Sequence, residues 1–376
     1  MNPLQVLGEA RQSVWLDFLD RRFLTDGGLK ALIEADGVTG VTSNPTIFER
    51  AISQVDAYDE DFRALLAAKP ASTAIEIYEH LAVRDIQLAA DILRSVYDAR
   101  HKRDGYVSLE VSPYIALDTQ GTIDEARRLW SAVDRPNVMI KVPGTPAGIA
   151  AATTLIGDGL NLNVTLLFSV EVYRAVADAI MTGLEMRVAR QAPIDHIASV
   201  ASFFISRIDT EVEKAIVKLD TVEARSLSGK VAIANAKLAY AVYRDIVASS
   251  RWKALSAKGA LPQRLLWAST GSKMPGLGDV AYVEGLVCSE TVNTMAPATM
   301  KAFRDHGAVD EGGVEDGLAA RDCVQRANAT GIDLNRIGRD LLDGGLALFS
   351  ASFDDLLKAV DDKRLRFLAE GSADVR

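Results

Sequence analysis

The sequence predicts an α/β fold in which eight parallel strands alternate with helices and close into a (β/α)8 barrel. Three observations predict it. Eight short, mostly apolar runs recur along the chain, each about as long as a buried parallel strand. The stretches between them carry helix start signals and apolar residues at helical spacing. Most runs also end in a polar side chain that would be costly to bury without a purpose. In a barrel of this kind, strand C-terminal ends converge on one mouth, where chemistry happens. A doubly wound sheet is the rival. It would need only about five or six strands and would usually show a glycine-rich phosphate turn after the first, which is absent here.

The runs are Ser13–Asp17, Val38–Asn44, Tyr106–Val111, Val138–Val142, Leu162–Phe168, Ile197–Phe203, Leu265–Ser269 and Thr291–Met295. Thr73 and Glu76 form a capping box before a helix over Ile75–Val96. Thr122 with Glu125, before Ala126–Val133, and Thr210 with Glu213, before Val212–Leu219, read the same way. Thr145-Pro146 reads as an N-cap followed by proline in the first helical position. Ser169 with Glu171 opens Val170–Val188, and Pro297–His306 should follow the eighth strand. Arg50–Pro70, Asp220–Gly259 and most of Asp305–Arg376 look like added helices, with Gly344 and Gly345 breaking Leu334–Leu368 into two. The expectation is one catalytic barrel domain over 1–376, with 307–376 as extra helices packed on it.

Bulk properties narrow the function. A chain of 376 residues with 48% hydrophobic and 25% charged content can bury a large core. A net charge of −9 argues against a nucleic-acid partner, so any anion site must be local. Cys288 and Cys323 lack metal-ligand or disulfide spacing, read as packing residues, and fit a reducing cytoplasm. No cofactor or metal is called for. No signal peptide or membrane-spanning run is visible. His80, His101, His196 and His306 fall in helices or near strand starts, away from the mouth.

The strand ends supply the candidates. They are Asp17, then Thr42, Ser43 and Asn44, then Glu110 and Lys141. Asn163 and Thr165, two apart, share a face of the fifth run. Ser202 is followed by Arg207, and Ser269 by Lys273. Lys141 stands out within the apolar stretch Val138-Met139-Ile140-Lys141-Val142. One reading is structural: the amine reaches the strand end or pairs with a carboxylate. The other is chemical, because an amine taken out of water holds its proton less tightly and attacks carbonyls. Asp17 and Glu110 at the same mouth would supply the proton transfers such chemistry needs. They would equally serve a structural ion pair.

Several of these stretches resemble transaldolase signatures. They are Gly40-Val41-Thr42-Ser43-Asn44-Pro45-Thr46, Val138 through Thr145, Asn161 through Ser169, and Ser202-Phe203-Phe204-Ile205-Ser206-Arg207. They fall in family order and span roughly residues 13 to 300. The length, Val292–Met295 and the C-terminal helices suggest the longer bacterial subfamily, type 2-like. The resemblance implies a TIM barrel of the class I aldolase type, acting without cofactor on sugar phosphates. It implies Lys141 as the Schiff-base lysine and Asp17 as the acid/base at the C4 hydroxyl. Glu110 and Thr165 would act through a water in forming and hydrolysing the imine. Thr42, Asn44, Asn163, Ser202 and Phe204 would line the pocket for the dihydroxyacetone unit, and Arg207 would bind phosphate.

Two positions depart from the pattern. Ser43 stands where many relatives have threonine. The seventh strand end, Trp267 through Lys273, lacks the phosphate-binding arginine of many relatives. Ser269 and Lys273 take that place here, although Lys273 also reads as an ordinary surface lysine. Two alternatives stay open. One is a fructose 6-phosphate or related class I aldolase, in which the family resemblance would place a tyrosine where Glu110 acts. The other is a non-catalytic sugar-phosphate-binding barrel. A monomer or homodimer in the cytoplasm is expected, with no membrane contact.

Overall fold

The eight apolar runs become eight strands: β1 (Gln12–Asp17), β2 (Val38–Thr42), β3 (Tyr106–Glu110), β4 (Val138–Pro143), β5 (Leu162–Leu167), β6 (Ser199–Phe204), β7 (Arg264–Ala268) and β8 (Thr291–Met295). All neighbours pair in parallel, and β1 pairs with β8, so the sheet closes in chain order. The structure, a computed structural model, describes residues 2–54, 56–310 and 317–373. Helices between the strands form the outer ring, giving a TIM barrel. Among the described residues, no helix is long and apolar enough to cross a membrane.

Closure needs side chains of the right size inside. Trp15 and Gly40 are paired across β1 and β2, and both face the interior. The indole of Trp15 is fully buried, and its Nε1 donates to Asp104 Oδ1 at 2.8 Å. A Cβ on Gly40 would lie 2.4 Å from that ring. Glycine is therefore the counterpart of the tryptophan: one large and one absent side chain fill a single layer. Cys288 is buried against the outer helices, and burial pushes its thiol up to about 12.

The expected helix starts are partly right. Thr73 and Glu76 form both halves of their capping box. Thr145 and Ser169 accept from the backbone N–H groups of Gly148 and Val172. The other two boxes do not form. The helix before β4 runs over Thr119–Val133, so Thr122 and Glu125 lie inside it. Glu125 instead accepts from the Ser112 backbone N–H at 3.0 Å, tying down the loop after β3. The helix after β6 begins at Ser206, which puts Thr210 in its second turn, donating back to the Ser206 carbonyl. The helix after β6 starts two residues past its strand, ahead of the local cap signal, whereas β3 is followed by a short turn over Pro113–Ile115 before its helix starts at Thr119.

The tail departs from expectation more fully. Leu334–Ala373 is one unbroken helix of 40 residues, and Gly344 and Gly345 do not interrupt it. Residues 311–316 and 374–376 of the expected helical tail lie outside the described residues. Glycine lowers helix stability by roughly 1 kcal/mol, and tertiary packing overrides it here. Phe353 meets Tyr78 and Tyr114 edge-on at 5.5 and 5.4 Å. Phe367 meets Phe62 at 5.6 Å, and Lys363 pairs with Asp59. Thr46 Oγ1, in the Pro45–Gln54 helix, donates to Ser352 Oγ at 2.9 Å. The C-terminal helix therefore lies across the barrel mouth on the β2 and β3 side.

Gly40→Ala should force Trp15 out of its layer and destabilise the protein by about 1–3 kcal/mol. Urea unfolding followed by tryptophan fluorescence would measure it. An unchanged midpoint would mean that the interior relaxes around the methyl group.

Candidate active site

Strand register assembles the site. Glu110 on β3 pairs directly with Lys141 on β4, and Lys141 with Asn163 on β5. Paired residues on neighbouring parallel strands point to the same side, so these three project inward in one row. Asp17 and Thr42 are likewise paired across β1 and β2. Side chains spaced two apart along each strand follow the row upward, adding Thr165 and Ser202.

The row sits at the base of a cavity of about 580 Å³. Asp17, Thr42, Asn44, Lys141, Thr165, Ser202, Phe204, Arg207, Ser269 and Lys273 all line it. Three candidates do not. Ser43 is fully buried and donates to the Ser108 carbonyl at 2.8 Å. Asn163 is fully buried below the cavity floor, donating to Ser108 Oγ at 3.1 Å and accepting from Ser202 Oγ at 2.6 Å. Glu110 lies behind Lys141 and borders a separate crevice of about 20 Å³. That crevice holds roughly one water.

Lys141 is only 5% exposed. Its Nζ donates to the Ser43 carbonyl at 3.2 Å and lies 3.3 Å from Glu110 Oε2. The contact with Glu110 is a close ion pair without hydrogen-bond alignment, since Oε2 has no hydrogen-bond partner. Thr165 Oγ1 is buried and equally unpartnered. One orphaned oxygen beside the amine and another on the wall of the same cavity leave hydrogen bonds to be completed by substrate or water. Asp17 accepts from Thr42 Oγ1 at 2.6 Å, and Thr42 in turn contacts Thr294 Oγ1 at 2.8 Å. Burial pushes both carboxyls above their ordinary value, outweighing the pull of nearby Lys141. Groups that hold protons more readily than usual suit proton transfer near neutral pH.

Asn44 serves two neighbours. Its Oδ1 accepts from the Ile47 backbone N–H at 3.0 Å at the start of the Pro45–Gln54 helix, while the residue also lines the cavity. At the other rim, Arg207 opens the Ser206–Leu219 helix with its guanidinium 5.2 Å from the Phe204 ring. It has no carboxylate partner among the described residues, and partial burial lowers its proton affinity. An unpaired cation at a helix N-terminus is well suited to an anion. Ser269 adopts a left-handed backbone (φ 59°), and its Oγ lies 2.9 Å from Ser206 Oγ, close to that helix start. Lys273 is exposed on the rim.

The chain matches the family described as Transaldolase/Fructose-6-phosphate aldolase over residues 14–360. It is 47% identical to a transaldolase of Thermobifida fusca, with 96% of this chain and 97% of that protein covered. The chain belongs to the transaldolase/fructose-6-phosphate aldolase family. It is also 48% identical to a transaldolase of Saccharopolyspora erythraea, over 96% of this chain and 97% of that protein. A protein named transaldolase 2 from a Nostoc species is 45% identical, over 96% of this chain and 98% of that one.

Among the lining residues that the sequence did not single out, three stand out. Thr294 sits at an inward position of β8 and could have been found from alternation. Arg50 reaches the rim from the helix after β2, and nothing local marked it. Phe349 comes from the C-terminal helix, with its ring 5.8 Å from Lys141 Nζ. No signal around Phe349 pointed to the barrel mouth.

Because burial raises the Glu110 carboxyl, ionising it costs the fold stability as pH rises. Gln stands in for the protonated acid. Glu110→Gln should therefore raise the thermal midpoint at pH 8, with the gain shrinking toward pH 4, where the native carboxyl is also protonated. Scanning calorimetry at both pH values would show it. A variant less stable at pH 8 than the parent would mean that Lys141 depends on the negative charge.

Proposed function

We propose that the protein is a transaldolase of the pentose phosphate pathway. In this reading it moves a dihydroxyacetone unit reversibly from sedoheptulose 7-phosphate to glyceraldehyde 3-phosphate, giving erythrose 4-phosphate and fructose 6-phosphate. The observation that carries the reading is a buried amine beside one raised carboxyl and sharing a cavity with a second, below an unpaired arginine.

The Lys141 amine attacks the C2 ketone of the donor. Glu110, with a water in reach of Thr165, carries the protons as the carbinolamine loses water. The iminium then draws electrons from the C3–C4 bond. Asp17 takes the C4 hydroxyl proton, and the aldose phosphate leaves. A three-carbon enamine remains on Lys141 until a second aldose phosphate enters and the steps reverse. Thr42, Asn44, Asn163 and Ser202 hold the donor hydroxyls or the groups that do, and Phe204 packs beside them. Arg207 binds the phosphate, assisted by Ser269 and Lys273. The whole chain, 1–376, acts as one catalytic unit, a monomer or homodimer in the cytoplasm. A fructose 6-phosphate aldolase shares the lysine chemistry. It differs in releasing free dihydroxyacetone without an acceptor, and that assay separates the two.

Borohydride added during turnover of fructose 6-phosphate should fix a dihydroxyacetone-sized adduct on Lys141, located by peptide mapping. Lys141→Ala should yield no adduct and lose essentially all transfer. An adduct elsewhere, or activity surviving in the pure variant, would defeat the assignment. Arg207→Ala should raise KM for phosphorylated substrates about 10- to 100-fold, the loss of one charge-assisted contact. Steady-state kinetics would check this, and an unchanged KM would remove Arg207 from that role.

A further inference from the structure

A transferase of this type has to protect an intermediate. Once the aldose leaves, the enamine on Lys141 has a nucleophilic carbon. If solvent protonates it, the product is the dihydroxyacetone iminium. Water then adds at C2, Lys141 departs as the amine, and free dihydroxyacetone is released. Net aldol cleavage replaces transfer. Proton, water and leaving amine all balance, so the wasteful route needs nothing beyond solvent.

Polar groups dominate the row around Lys141, and none of them repels water. The apolar cover comes from elsewhere. Phe349 is 8% exposed, lines the cavity and sets its ring 5.8 Å from Lys141 Nζ. One turn earlier, Gly345 brings the C-terminal helix down on the barrel. A Cβ there would lie 3.1 Å from the Leu166 side chain and 3.9 Å from the Arg207 guanidinium. Leu166 itself holds an unusual left-handed backbone (φ 60°) at the irregular end of β5, directly after Thr165. Such a conformation is strained for a leucine and persists only where its surroundings over-determine it. On the far side of Phe349, Ser352 and Phe353 fix the helix to Thr46 after β2 and to Tyr114 after β3. The ring is thus held over the amine from both directions.

We propose that Phe349 is the cover that keeps solvent from protonating the enamine, and so sets the partition between transfer and net cleavage. This rests on the transaldolase reading of the same site. It deepens that reading by assigning a selectivity role to a residue outside the barrel strands.

The test compares the parent with Phe349→Ala. Two rates are measured on fructose 6-phosphate: dihydroxyacetone release without acceptor, and transfer to erythrose 4-phosphate. The ratio of release to transfer should rise at least about tenfold in the variant, a change of about 1.4 kcal/mol in relative barriers. Borohydride should still trap the imine on Lys141. A trapped imine with an unchanged ratio would overturn the proposal. No trapped imine in the parent would instead defeat the transaldolase reading itself. A second measurement needs no variant. In deuterium oxide, the parent should return ketose carrying little deuterium at C3, because the enamine is not protonated between donor and acceptor. Exchange at C3 as fast as transfer would refute the role of Phe349 even if the alanine variant failed to fold.

Discussion

The parallel register across β3, β4 and β5 is the constraint on which this molecule depends. It puts Glu110, Lys141 and Asn163 side by side with no freedom to separate, because each is fixed by the ladder of its own strand. A shift of one residue in any of these strands would turn a functional side chain outward into the helices. Closure through β1 and β8 supplies the same certainty for Asp17 and Thr42. The paired layer of Trp15 and Gly40 lies beneath, so the interior below the reactive row is packed solid and the row faces only upward.

That arrangement sets a tension between stability and chemistry. Buried carboxyls, an amine with a misaligned partner and an unsatisfied Thr165 hydroxyl would each be corrected in a protein selected for stability alone. They are tolerated because the surrounding core is extensive and apolar. The site is therefore preorganised by the scaffold, with hydrogen bonds left open for substrate.

Much of this was legible in the sequence because barrel strands announce themselves twice. Their apolar runs mark where they lie, and the polar residue at each end marks the mouth. All eight strands follow from those two signals, as do the polar lining residues at the strand ends, but not the loop and helix residues after β7 and β8 that complete the cavity wall. What was hidden depends on contacts distant in sequence. Thr122 and Thr210 look like caps, but their helices begin earlier, one after a short turn and the other directly after its strand. Gly344 and Gly345 look like breakers, but the surface on which their helix rests keeps it continuous. Nothing around Phe349 marks a mouth residue, since its meaning arises only when the tail meets β4. Asn163 was expected to hold substrate hydroxyls, yet it is fully buried beside Lys141 and reaches the cavity only through Ser202.

The hydrogen bond between Thr46 and Ser352 joins positions 306 residues apart. Contacts of such separation close long loops and slow folding. Most neighbours in the barrel wall are strands adjacent in the chain. The wall closes on itself over a similar span, where Gln12 pairs with Thr291. The two ends of the chain thus fasten both the wall and the roof, so that the enclosure of Lys141 is a property of the whole chain and of no shorter part.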